Sequence, residues 1–417
     1  MFRFIHAADP HLDSPLLGLE SYEGAPVDTI RGATRRAFEN LVALALEERV
    51  DFILIAGDLY DGDWKDYSTG LFFTGQMARL RAAGIAVFLI SGNHDAASVM
   101  TRKLTLPDNV HLFPSRSAKS VDLPRHPVTI HGQSFPQRAV PENLVPGYPD
   151  PAKARFNIGL LHTSMNGLPG HDTYAPCALK ELQDKGYDYW ALGHVHQPIE
   201  FCTTPWIGFV GNLQGRHVRE TGARGCRLVT VNDSLSIESN EFRTLDVVRW
   251  EIIEVDLTGV ASEAEAMDRL STDLRAAAEA AEDRLLAVRL VFSGATALHG
   301  ALHRDAQHLI AECLAVAQQT DRPMWIETVK LRTTPIYDVS ELAERDSLTS
   351  IVVETLHAAD ERLGAMPADI QAMLEALPPI LREEAAAELE GEARHVLLSD
   401  VRAIILEALA TKGGDAA

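Results

Sequence analysis

The sequence predicts an α/β (α+β) chain: a β-sandwich flanked by helices, then a small α/β capping domain and a helical C-terminal tail. Short, strongly apolar, strand-like runs occur at 2–7, 51–56, 85–90, 157–161 and 187–192. Helical patterns lie between several of them, notably at 34–49 and 67–83. A polar cluster follows each run and should sit in a loop just past a strand, where open α/β sheets place their ligands.

Taken in order, shorter strands at 226–231 and 235–239 follow the last of these clusters. Around 243–246 the pattern changes. A strand at 250–257, a helix at 261–281, a strand at 285–292, a helix at 303–318 and a strand at 324–331 make a β-α-β-α-β unit. The expected domains are therefore 1–243, 244–335 and an acidic tail, 336–417. The tail is helical from about Ser340, with breaks at Pro367 and Pro378-Pro379. Its first segment spaces Ile351, Val352, Leu356 and Leu363 at helical intervals; helices at 380–390 and 396–409 follow, the latter amphipathic. Such aliphatic stripes fit ordinary packing against the body or a helix-in-groove docking element.

At 417 residues, two or three domains are expected. Hydrophobic residues at 46% and charged residues at 23% are globular values. The sequence shows no signal-peptide pattern and no apolar run near the roughly 20 residues that span a bilayer. Cys177, Cys202, Cys226 and Cys313 form no CxxC pair and read as free thiols in a reducing, cytoplasmic compartment. The net charge of −21 is uneven. Residues 1–243 carry 23 Lys+Arg against 27 Asp+Glu, and residues 244–417 carry 15 against 32. The acidic part should repel DNA or face a basic protein, so any grip on nucleic acid would rely on local basic loops or on a partner.

Five segments read together as one metal centre: Asp9-Pro10-His11, Gly57-Asp58, Gly92-Asn93-His94-Asp95, His162 in Leu160-Leu161-His162-Thr163, and Gly193-His194-Val195-His196. Any one of them is ordinarily a turn or a hydrogen-bonded histidine. Five in this order are not explained that way. Two divalent ions roughly 3.5–4 Å apart can clamp the attacking and leaving oxygens of a phosphoryl displacement. Holding both requires a bridging anion, and Asp58 is the expected bridge. Asp9, His11 and His196 would complete the first ion's shell; Asn93, His162 and His194 would complete the second. Oxygen and imidazole donors without thiolate suit Mn, Fe, Zn or Ni better than copper, without choosing among them. A water between the ions would be acidic enough to attack phosphorus near neutral pH. His94 follows a ligand without being needed as one. Its expected task is to stabilise the pentavalent phosphate or to protonate the leaving oxygen.

This motif set is similar to that of the calcineurin-like metallophosphoesterases. More narrowly, Phe4-Ile5-His6-Ala7-Ala8-Asp9-Pro10-His11-Leu12-Asp13-Ser14-Pro15 resembles bacterial DNA repair exonucleases of the SbcD and YhaO type. Gly170-His171-Asp172-Thr173-Tyr174-Ala175-Pro176-Cys177 and Gly211-Asn212-Leu213-Gln214-Gly215-Arg216-His217 resemble the YhaO branch. The resemblance covers roughly residues 1–240. It implies a Mn-dependent nuclease, commonly paired with an SMC-like coiled-coil ATPase, and a homodimer. Two positions depart from the pattern. Pro10 replaces a usual aliphatic residue, removes a backbone N–H and is expected to push Asp9 towards extended geometry. Asp61 stands where archaeal and eukaryotic relatives carry a phosphate-contacting histidine, and an anion cannot donate to phosphate in that way.

Further candidates for substrate contact are weaker. Arg216, His217, Arg219, Arg224 and Arg227 cluster after the last motif and could reach phosphates; a solvated basic loop is the ordinary alternative. His171 could line a substrate channel or belong to a glycine turn, and Asp61 lies beside the centre. Trp64 could stack on a base, though packing on its own loop is the more usual role. No P-loop is present, so ATP hydrolysis would come from another chain. The chain thus reads as a two-metal DNA exonuclease, with endonuclease activity left open. A small-molecule phosphodiesterase or phosphatase, a non-catalytic scaffold and an RNA-directed nuclease are the alternatives, because fold does not fix substrate.

Overall fold

The computed structural model describes residues 1–16, 19, 24–61, 67–97, 106–165, 174–336, 350–355, 373 and the backbone of 391–412, with side chains there at 398 and 400–409. Trp64, His171, Leu356, Leu363, Pro367, Pro378, Pro379 and the helix expected at 380–390 lie outside them. Two compact units emerge, residues 1–251 with 281–287, and residues 252–280 with 288–417.

The first unit is a β-sandwich with helices on its outer faces. Its strands are β1 (Phe2–Ala7), β2 (Phe52–Ala56), β3 (Ala86–Ile90), β4 (Val110–Leu112), β5 (Lys119–Asp122), β6 (Val128–Gly132), β7 (Phe156–His162), β8 (Tyr189–Gly193), β9 (Ile199–Thr203), β10 (Trp206–Phe209), β11 (Gly225–Val231) and β12 (Ile237–Thr244). Its helices are α1 (Val27–Arg31), α2 (Ala33–Glu47), α3 (Ser68–Ala82), α4 (Asn93–Ala97) and α5 (Leu179–Asp184). One sheet runs β12-β11-β1-β2-β3-β4 and the other β5-β6-β7-β8-β10-β9.

Strand alternation explains the layers, because successive side chains point to opposite faces. Phe4, Phe52, Leu54, Phe88 and Ile90 pack inward against Val128, Ile130, Ile158, Leu160, Tyr189 and Ala191 of the second sheet. Phe4 stacks on Phe52 at 5.1 Å and meets Tyr189 edge-on at 5.2 Å. Ile5, Ile53, Ile55, Val87 and Leu89 face the other way, onto Phe38, Leu41, Phe73, Met77 and Leu80 of α2 and α3. Trp190, Leu192, Ile207 and Phe209 form a third layer with Leu182 and Tyr187. Burial on both faces is why these strands read as continuous apolar runs. Each fully buried large side chain contributes about 1.5–3 kcal/mol.

The strands β1 to β4 are mutually parallel, as are β6, β7, β8 and β10. Parallel order gathers the loops after β1, β2 and β3, and those after β7 and β8, at the strands' carboxyl ends. The polar segments singled out in the sequence lie at those ends: His162 is the last residue of β7, Asn93, His94 and Asp95 open α4, and the remaining candidate ligands follow β1, β2 and β8.

The second unit contains β13 (Val248–Asp256), α6 (Glu263–Ala281), β14 (Leu285–Ala295), α7 (His299–Arg304), α8 (Ala306–Gln318) and β15 (Met324–Thr334), with sheet order β13-β14-β15. The single helix expected over 303–318 is in fact two. Asp305 breaks it, leaving helical geometry and accepting the His308 N–H at 3.0 Å as the cap of α8. The last helix, Gly391–Lys412, packs on α7: Ala403 and Leu406 are buried, Asp400 meets His303 at 2.6 Å, and Glu407 pairs with Arg304. Val401 is exposed, so its apolar residues are not confined to the single face expected. Among the described residues no helix is long and apolar enough to cross a membrane. All four cysteines are free.

Candidate metal centre

Backbone hydrogen bonds fasten the five loops to one another. Asp9 N–H donates to Gly57 O (3.1 Å), His11 N–H to Asp58 O (3.0 Å) and Leu12 N–H to Leu59 O (3.0 Å), zipping the first loop to the second. The Asp95 carboxylate accepts from Leu59, Tyr60 and Gly92 N–H groups at 3.1, 2.9 and 3.2 Å, holding the third loop against the second. Across the sandwich, His194 N–H donates to Asp9 Oδ2 at 2.8 Å.

These attachments hold Asp9, His11, Asp58 and His194 at φ of 48°, 42°, 45° and 106°. Left-handed backbone costs a side-chain-bearing residue on the order of 1–3 kcal/mol and persists only where its surroundings enforce it. Asp9 is therefore not extended, as Pro10 led us to expect. The hydrogen bonds on either side of Pro10 force a sharp turn, and Asp tolerates left-handed geometry better than most residues. Gly57, at φ 97°, and Gly92 leave no room for a Cβ: one at Gly57 would run into the His162 ring, and one at Gly92 into Asp58 Oδ1.

The structure brings all seven expected ligands together in two adjoining groups, with Asn93 beside the second. Asp9, His11 and His196 converge in one, and Asp58, His162 and His194 in the other. His11 Nε2 and His196 Nε2 face each other at 3.0 Å. Asn93 Oδ1 lies 2.9 Å from His162 Nε2 and 3.3 Å from His194 Nδ1. Asp58 stands between the groups, with Oδ2 3.4 Å from His162 Nε2 and 4.0 Å from His11 Nε2. Its other oxygen accepts the His94 N–H at 2.9 Å. His162 Nδ1 donates to Ala56 O at 2.9 Å, which turns its Nε2 towards the cluster.

This donor set fits a pair of divalent cations. Asp9 Oδ1 is buried without a hydrogen-bond partner, which a folded protein rarely tolerates unless another group is bound there. The donors are shifted in different directions: burial, with the charges of Arg216 and His196, holds His11 well below the ordinary imidazole value. Burial pushes Asp9 up to about 6, against the pull of His162 and His196. Burial works to lower His162, but the Asp58 and Asp9 carboxylates outweigh it and raise the ring to about 9. For Asp58 burial acts upward, yet His162 and His94 hold it below the usual carboxylate value.

His94 sits at the rim with its side chain about one third exposed, and its Nδ1 lies 2.7 Å from Asp61 Oδ1. That hydrogen bond raises His94 against the opposing effect of burial. Asp61 is in turn held by Ser14 Oγ at 2.6 Å and Arg216 Nη1 at 3.3 Å. Of the basic residues after the last motif, only His217 and Arg219 are exposed. Arg216 is enclosed between Asp61 and Glu220. Arg224 is buried on backbone carbonyls of His196 and Thr221, and Arg227 binds Asn240 O beneath the Trp206 ring. Sequence reading missed Glu220, whose Oε1 lies 2.7 Å from His196 Nδ1. It also gave no role to Asp95.

Residues 2–198 match the calcineurin-like phosphoesterase family. Residues 250–334 match the middle domain of metallophosphoesterase YhaO. The uncharacterised metallophosphoesterase YhaO of Bacillus subtilis (strain 168) is 38% identical over 260 residues, 61% of this chain and 63% of that protein. The DNA double-strand break repair protein Mre11 of Methanopyrus kandleri is 28% identical over 284 residues, 61% of this chain and 57% of that protein. The chain thus spans less than two thirds of either relative's length. A dimetal phosphatase from Danio rerio, of known structure, aligns at 13% identity over 59% of this chain and 98% of its own, with a TM-score of 0.36.

Proposed function

We propose that this chain is a two-metal phosphodiesterase that degrades DNA as an exonuclease, with manganese as its working ion. The observation that carries the hydrolytic reading is the convergence of Asp9, His11, Asp58, Asn93, His162, His194 and His196 at the carboxyl ends of parallel strands. When bound, two divalent ions would supply Lewis-acid charge to the phosphoryl oxygens and make a nearby water nucleophilic near neutral pH. The protein's own part is to hold those ions through Asp9, His11 and His196 on one side and Asn93, His162 and His194 on the other, with Asp58 common to both. His94 acts on the phosphate. Asp61 occupies its Nδ1, so Nε2 is the atom available to donate to a phosphate oxygen or to the leaving oxygen. The choice of DNA is supported by the likeness to Mre11, a DNA double-strand break repair protein.

A phosphatase or diesterase for small phosphate esters is the second reading, and one observation favours it. Arg216, Arg224 and Arg227 are engaged internally, which among the described residues that follow the last motif leaves His217 and Arg219 as the exposed basic side chains of that cluster. A time course with Mn²⁺ on end-labelled linear duplex and single-stranded DNA, beside bis-p-nitrophenyl phosphate, separates the two. The nuclease reading expects laddered DNA products. Hydrolysis of the small diester with DNA untouched would overturn it in favour of the second reading.

An SMC-like ATPase is the proposed partner, docked on the acidic chain beyond residue 340. The acidity of residues 244–417, 32 Asp+Glu against 15 Lys+Arg, supports a basic partner surface. Cutting the chain at 340 is expected to spare diester hydrolysis and abolish capture of the ATPase in a pull-down. Unchanged capture would refute the docking role.

A further inference from the structure

We propose that Glu220 is a positioning residue for the metal centre: it fixes the ring of His196 so that Nε2 points at the donors of Asp9 and His11. The inference rests on the two-metal reading above. Glu220 is only 5% exposed and spends both oxygens inside the site. Oε1 lies 2.7 Å from His196 Nδ1 and 3.0 Å from Arg216 Nη2. Oε2 accepts from Asn212 Nδ2 and from the Arg216 backbone N–H, both at 2.8 Å. The Arg216 guanidinium contacts both of the Glu220 oxygens, Nη2 to Oε1 at 3.0 Å and Nε to Oε2 at 3.4 Å, the setting of an ionised carboxylate.

The chemistry follows from the tautomer. A histidine that offers Nε2 to a cation carries its proton on Nδ1, and a carboxylate accepting that proton locks the ring's orientation and makes Nε2 a stronger donor. Arg216 Nη2 also lies 3.2 Å from His196 Nδ1, but a guanidinium cannot accept a proton. Among the described residues the Glu220 carboxylate is what can take the Nδ1 proton while Nε2 faces that of His11 at 3.0 Å. Arg216 gives the carboxylate a counter-charge and ties it to Asp61 at 3.3 Å, and Asp61 holds His94 at 2.7 Å. One guanidinium therefore links the support of a ligand to the support of the residue that acts on phosphate.

The test is calorimetric titration of the chelator-stripped full chain with Mn²⁺, repeated with Co²⁺ while its visible absorption is followed. Wild type is expected to bind two ions. In Glu220→Ala one binding event should weaken about 10–100-fold, with the matching Co²⁺ band altered and the other event unchanged. Glu220→Gln keeps an oxygen for the Nδ1 proton, so it should recover part of the loss, which a residue that merely fills space would not require. Should the alanine variant fail to fold by circular dichroism, the near-isosteric glutamine variant decides, with a smaller loss expected at the same event. Two unaltered binding events in a folded variant would overturn the role of Glu220 and leave the two-metal reading standing. Absence of binding to the wild type would overturn both.

Discussion

Replacing Asp58 by Asn is expected to abolish binding of the ion pair and, with it, hydrolysis. Asp58 is the carboxylate placed between the two donor groups, its Oδ2 3.4 Å from His162 and 4.0 Å from His11. Its Oδ1 already receives the His94 N–H, so the amide has no second oxygen to offer. The substitution removes one negative charge from a buried site whose imidazoles are neutral when they act as ligands. It also turns an N–H₂ group towards atoms that should be lone-pair donors. Ion affinity should fall by at least about 100-fold, beyond the range found for supporting residues. A loss of turnover of at least about 10³-fold corresponds to about 4 kcal/mol of transition-state stabilisation. Metal content after gel filtration, measured with diester hydrolysis, checks both. Two ions retained at wild-type affinity would remove Asp58 from the bridge.

The sequence made the candidate ligands legible as a set because each follows an apolar run in chain order. Strands β1, β2, β3, β7 and β8 are buried on both faces, so they read as unbroken hydrophobic stretches. Strands β5 and β9 were not legible for the opposite reason. Lys119–Asp122 and Ile199–Thr203 are short edge strands, exposed or half-buried. The first gives the core only Val121 and the second only Ile199, Phe201 and Cys202, too short a run to set a pattern. The backbone of Asp9 was misjudged because a local rule about the residue before proline lost to hydrogen bonds from a loop some 50 residues away. Glu220 lies 24 residues after His196 and looks like any surface acid until the chain between them folds back. Arg216, Arg224 and Arg227 show the same limit in reverse. A cluster of positive charge in sequence suggests a phosphate-binding surface, but folding places three of its members against carboxylates and carbonyls.

Replacing His94 by Ala is expected to leave two ions bound and to lower turnover by about 10²–10⁴-fold, the usual contribution of a positioned general acid or base. The two halves of that expectation are separable. His94 also falls within 4.8 Å of His11 and Asp58 in a donor group of its own, so geometry by itself permits it to be a ligand. What argues otherwise is the supply of donors: the seven other side chains already provide each group with its own, Asp58 being shared. The ring is also about one third exposed, whereas the rings of His11 and His162 are buried. A residue meant to meet an incoming phosphate must stand at the rim; a ligand need not. The backbone N–H of His94, which binds Asp58 at 2.9 Å, survives the substitution, so the bridge should not be disturbed. If His94→Ala loses an ion in calorimetric titration, the side chain is a ligand and the acid role is wrong. If both ions stay and turnover is unchanged on a phosphodiester, His94 does not act on the phosphate. Turnover lost with both ions in place is the outcome that assigns it to the reacting phosphate.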